Sequence, residues 1–126
     1  MFAAITAFLA YLSVSAALLA AFIYIYAKAT PYREFTLIEH DNTAVAITFA
    51  GAVLGFTLPL VASIYYTRSL GEMCLWAGIT CLVQLLVLIV LRKQAGRIEE
   101  GHVAPAVMVA SVSLAVGLLN AASISH

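Results

Sequence analysis

The sequence predicts an all-α membrane protein of four transmembrane helices, built from two tandem helical hairpins whose copies are related by a parallel, non-inverted internal pseudo-twofold. Three observations predict it. Of 126 residues, 64% are hydrophobic and 10% charged, far outside the soluble globular range. The charged residues gather in short connections, leaving four uncharged stretches near the roughly 20 residues that a bilayer core requires. The stretch Asn42 to Ile64, NTAVAITFAGAVLGFTLPLVASI, is echoed sixty residues later. The chain reads as one domain, residues 1–126, with repeat one at 1–66 and repeat two at 67–126.

Span one runs from Ile5 to Tyr26. A secretory signal peptide is the alternative, but residues 1 to 10 hold no Lys or Arg and the apolar run is too long. Ser13, Ser15, Ala16, Ala17, Ala20 and Ala21 make one side slim, which lets backbones approach in lipid. From Lys28 to Asp41, Pro31 can open a helix after Thr30, and Tyr32, Phe35 and Ile38 recur three apart. This pattern fits a short helix in the membrane interface, or an irregular loop with scattered apolar residues.

Span two is Asn42 to Ile64, and Tyr65 to Glu72 is a tight polar turn. Span three runs from about Met73 to Leu91, and Arg92 to His102 connects it to span four, Val103 to Ile124. Lys28, Arg33, Arg92, Lys93 and Arg97 lie in the first and third connections against Arg68 alone in the second, which places both termini outside. Trp76, Tyr65 and Tyr66 then fall at the outer interface, and Tyr24, Tyr26 and Tyr32 at the inner one.

Sliding the chain by sixty residues aligns Ile38-Glu39 with Ile98-Glu99, Ala50 with Ala110, Leu54 with Leu114, and Ala62-Ser63-Ile64 with Ala122-Ser123-Ile124. Gly51-x-x-x-Gly55 then falls on Ser111-x-x-x-Ala115, the expected seam between the halves. In span two Ala44, Thr48, Gly51, Gly55, Pro59 and Ala62 share one face. Span four has a second slim face with Ala106, Ala110, Ser113, Gly117 and Asn120. One face could join the halves and the other a second subunit, or the small residues simply fill a four-helix bundle.

The segments Thr30-Pro31, Leu37-Ile38 leading into Asn42-Thr43-Ala44, Gly55 to Leu60, Gln84-Leu85-Leu86-Val87 and Leu119-Asn120-Ala121-Ala122 together resemble the YjfL-type small bacterial inner-membrane proteins, a family with a domain of unknown function. The resemblance covers nearly the whole chain in matching order. It implies a four-span, twofold-repeated protein of the bacterial inner membrane with no assigned activity. It further implies relatives often encoded near PspA-like membrane-coat proteins and glutathionylspermidine-synthase-like enzymes. Members tend to start both repeat helices with Asn; Asn42 fits, whereas His102 stands in the second place.

Six basic and six acidic residues cancel, so there is no basic field for nucleic acid. Within the four spans there is no Asp, Glu, Lys, Arg or His, which argues against a proton-coupled exporter. Cys74 and Cys81 lie about 10 Å apart along a helix, too far to bridge, and read as packing residues. The intramembrane polar candidates are Thr48, Gln84 and Asn120. The two amides predict either an interhelical hydrogen bond of about 1 kcal/mol or the lining of a path. Pro59 removes one helical bond, a kink that suits packing more than gating. Glu39, His40, Asn42, Glu99 and His102, with Asp41 and Glu100, gather at the inner ends of spans two and four. Their spacing matches no compact ligand motif, and caps account for them.

No Ser-His-Asp set, Gly-rich phosphate loop or carboxylate pair is present, so neither an enzyme nor a cofactor is expected. The sequence favours a self-associating scaffold or accessory subunit, a homo-oligomer that shows its inner connections to a cytoplasmic membrane-associated protein. The alternative is an oligomeric channel or facilitator for a small solute. A lipid enzyme would need the His and carboxylate cluster to act together.

Overall fold

The computed structural model describes residues 1–67 and 69–124; Arg68, which entered the charge count, and the terminal His126 lie outside the described residues. All regular structure among these is helical: α1 (Phe2–Ala29), α2 (Glu34–Glu39), α3 (Thr43–Tyr66), α4 (Leu70–Val90), a 3-10 turn at Arg92–Gln94, α5 (Ala95–Glu99) and α6 (Val103–Ile124). Four of them, α1, α3, α4 and α6, are long and apolar enough to cross a membrane.

Local chemistry sets where these helices begin. Asn42 Oδ1 accepts from Val45 N at 3.1 Å and caps α3. Ser69 Oγ accepts from Glu72 N at 3.0 Å, so α4 starts at Leu70, earlier than the apolar run alone suggests. Pro31 does not open a helix: residues 30–32 form a bend and α2 begins at Glu34. Tyr32, Phe35 and Ile38 consequently do not share a face; Tyr32 is buried, Ile38 half-buried and Phe35 exposed.

The two short helices end alike. Asp41 N donates to Ile38 O (3.0 Å) and Asn42 N to Leu37 O (2.9 Å), around an Asp41 φ of 61°. Sixty residues on, Gly101 N donates to Ile98 O (2.9 Å) and His102 N to Arg97 O (3.0 Å), around a Gly101 φ of 96°. Both are paired closures of a helix end about one left-handed residue, and each hands directly into a long helix.

α3 is the central element. Its most extensive pairing is with α6; α4 lies across the groove between α3 and α6, and α1 rests on α3 and α4. α1 is covered least, burying only Phe22 and Tyr26. Phe22 stacks on Phe56 with ring centroids 4.3 Å apart, in a cluster with Tyr26, Ala52, Leu60, Met73 and Ala77. The slim side of α1 is not its packing side: Ser13, Ala16, Ala17, Ala20 and Ala21 are exposed. Tyr26 and Tyr32, expected in the interfacial belt, are instead part of the core, whereas Tyr24, Tyr65 and Tyr66 remain exposed.

Candidate functional site

The most constrained region is the α3·α6 seam together with the α4 side chain that enters it. A Cβ on Gly51 would lie 2.5 Å from Ala110 Cα, and one on Gly55 would lie 2.5 Å from Ser113 O and 2.6 Å from Gln84 Nε2. One on Gly117 would meet Gly55 Cα at 2.6 Å. These three glycines permit a backbone approach that no other residue type allows.

The residues of the expected seam are placed differently from one another. Gly51, Gly55 and Gly117 form it, but Ser111 and Ala115 do not; both are exposed. α3 is met by the other slim face of α6, that of Ala106, Ala110, Ser113 and Gly117. A pseudo-twofold would set Gly51 and Gly55 against their equivalents Ser111 and Ala115. The halves instead meet face to back. The residue numbers rise together along the seam, so α3 and α6 are parallel.

Gly55 leaves the space that Gln84 occupies. Gln84 is buried, and its Nε2 donates to Ser113 O at 3.1 Å across helices. Its Oε1 has no hydrogen-bond partner among the described residues. Asn120 Nδ2 donates to Thr80 Oγ1 at 3.2 Å, a second α6–α4 link. Thr48 takes no part in this: its hydroxyl donates to Ala44 O at 3.1 Å within α3. The chemistry available here is amide cross-linking of helices, with one spare acceptor at Gln84.

At the inner ends, Asn42 does two things. Besides capping α3, its Nδ2 donates to Glu99 O at 2.9 Å, tying the start of α3 to the end of α5. His102 Nε2 lies 3.4 Å from Glu100 Oε2 at an exposed site. Glu39 and His40 are exposed, and among the described residues no three His, Cys, Asp or Glu side chains are grouped where they could share a metal ion.

The sequence reading missed Glu34. This carboxyl is 2% exposed, accepts a hydrogen bond from Thr30 Oγ1, and has an Oε2 with no partner among the described residues. Burial pushes its pKa above the ordinary carboxylate range, against the Thr30 hydrogen bond, which lowers it. Tyr32 is pushed up in turn, by burial first and then by the Glu34 and Glu99 charges. The one available signal was Thr30 four residues ahead of Glu34 across a proline. A lone Glu opening a short polar helix otherwise reads as a water-facing cap.

The profile of the Domain of Unknown Function (DUF350) family matches residues 1–124. The chain is 33% identical over 120 residues to the UPF0719 inner membrane protein YjfL of Escherichia coli strain K12, covering 92% of this chain and 91% of that protein. The same figures hold for the YjfL protein of Escherichia coli O157:H7. No solved structure matches. The chain belongs to the DUF350 family of membrane proteins.

Proposed function

We propose that this DUF350 protein is a non-enzymatic inner-membrane scaffold or accessory subunit that associates with further copies of itself and presents its inner connections to a cytoplasmic partner. One observation carries the reading: the amides within its spans are engaged in holding helices together, Gln84 on Ser113 and Asn120 on Thr80. Inner-membrane location is supported by its similarity to the two YjfL inner membrane proteins. Five basic residues in the first and third connections support termini on the periplasmic side. A tandem repeat is supported by the helix-end closures that recur sixty residues apart at Leu37–Asn42 and Arg97–His102.

A solute facilitator is the second reading, favoured by the buried Oε1 of Gln84, unpartnered among the described residues, which a permeating donor could use. Native mass spectrometry in lipid nanodiscs tests the first reading: an assembly of several copies is expected, and a lone chain at all concentrations would sink it. Solute flux into vesicles that is abolished by Gln84→Leu would replace it with the second.

A further inference from the structure

We propose that the cavity between the last turn of α1 and the start of α2 binds the headgroup of a phospholipid that carries a primary ammonium as well as its phosphate, the phosphate on Lys28 and Arg33 and the ammonium on Glu34.

The cavity measures about 380 Å³, within the size range of small-molecule sites, and Tyr24, Lys28, Tyr32, Arg33, Glu34 and Phe35 are among the residues that line it. Lys28 stands in the last turn of α1, a helix long and apolar enough to cross a membrane. The cavity therefore lies where hydrocarbon gives way to headgroups, the level at which rings such as those of Tyr24 and Phe35 belong.

Three groups around it lack a counterpart. Glu34 Oε1 accepts from Thr30 Oγ1, but Oε2 has no partner among the described residues, although the side chain is buried. A buried carboxyl oxygen without a donor is costly, and no donor from the chain reaches this one. Exposed Lys28 and Arg33 line the same cavity, yet neither forms an ion pair with Glu34 or with another carboxylate among the described residues. Lys28 Nζ sits instead 5.5 Å from the centroid of the Tyr24 ring.

Together the three select the ligand. A simple anion answers the two cations and leaves Oε2 orphaned, whereas a simple cation answers Oε2 and is repelled by Lys28 and Arg33. A phosphate joined to an ammonium by a short linker answers all three. The Arg33 guanidinium suits a phosphate, which it can hold through two parallel N–H bonds. A primary ammonium brings three N–H donors to Glu34, and a quaternary one brings none. Burial favours the neutral form of this carboxyl, and a bound ammonium offsets that by favouring the charged form.

The test titrates full-length protein in detergent with phosphatidylethanolamine, phosphatidylcholine and phosphatidylglycerol of identical acyl chains, and reads bound lipid by native mass spectrometry. The ethanolamine lipid is expected to bind about tenfold more tightly than the other two, through the charge-assisted bond that only it can make. Lys28→Ala and Arg33→Ala, at exposed positions, should weaken the ethanolamine and choline lipids alike and keep their ratio. Glu34→Gln, which keeps the side chain's size, should bring the ethanolamine lipid down to the level of the choline one, with thermal unfolding in the absence of lipid showing that each variant is folded. Equal binding of the three lipids, tightest binding of the glycerol lipid, or a Glu34→Gln variant that keeps the ethanolamine preference overturns the site. Glycerophosphoethanolamine, the same headgroup without acyl chains, separates the sources. It is expected to compete only at far higher concentration, and competition at equal concentration overturns the lipid in favour of a water-soluble zwitterion.

Discussion

Gly117 lies against the backbone of Gly55, at the carbonyl whose usual helical donor, the amide of residue 59, is missing because that residue is Pro59. The proline therefore frees an acceptor where the second half of the chain comes closest. A Cα–H of Gly117 can approach this carbonyl, a contact worth about 0.5 to 1 kcal/mol, and any Cβ would prevent it. Pro59 and Gly117, nearly sixty residues apart, form one packing device.

Gly55→Leu and Gly117→Leu are expected to lower thermal stability in detergent by about 1 to 3 kcal/mol each through overpacking. Gly55→Leu should be the worse, because its side chain would also displace Gln84 from Ser113. Gly78→Leu is the control, since nothing described lies within 4 Å of a Cβ there. Equal unfolding temperatures for all three variants and the wild type would remove the seam from the account.

Gln84→Leu should change stability by only about 1 kcal/mol, in either direction. The variant loses the bond to Ser113 O, but it also removes an acceptor that is buried without a partner among the described residues. Asn120→Leu is expected to be mildly destabilising, because it removes the partner of the buried Thr80 hydroxyl. A loss of more than about 3 kcal/mol for Gln84→Leu would mean that Oε1 has a partner after all, such as a bound solute.

Glu34 gives a pH prediction. Its folded pKa is raised above the ordinary value of 4.5 by burial, so folding favours the protonated carboxyl. The stability this contributes is fully present below the unfolded value and is lost as pH rises through the folded one. Unfolding temperature should therefore fall as pH rises from about 4.5 toward neutrality, and Glu34→Gln should flatten that slope. Thr30→Val, which deletes the hydrogen bond that lowers the pKa, should move the fall to higher pH. A Glu34→Gln profile that overlays the wild type would place the titration elsewhere.

The spans were legible because lipid leaves few solutions for an uncharged stretch twenty residues long, and the start of α3 was legible because Asn42 is a cap. What escaped was packing. A pseudo-twofold and a face-to-back arrangement leave the same sixty-residue echo in the sequence. Only the backbone approach of Gly51 to Ala110, with Ser111 turned outward, separates them. Glu34 escaped because its burial follows from the bend at residues 30–32, which sets its carboxyl on Thr30, and from the packing of α2 on α3, and no periodicity encodes that bend.

Asn42 allows its two roles to be separated. Asn42→Asp keeps the side-chain oxygen that caps Val45 N but has no N–H to offer Glu99 O, and it sets a carboxylate against that carbonyl. Asn42→Ala loses both, and the cap alone is worth about 0.5 to 2 kcal/mol. If the link holds α5 in place, both variants should speed amide hydrogen exchange through residues 95–102, and only the alanine variant should also loosen the first turn of α3. If the aspartate variant protects α5 as well as the wild type does, the bond to Glu99 is incidental. Packing of Ile98 in the cluster with Ala44, Val45, Ala106 and Val109 would then be what joins the inner ends of the two halves.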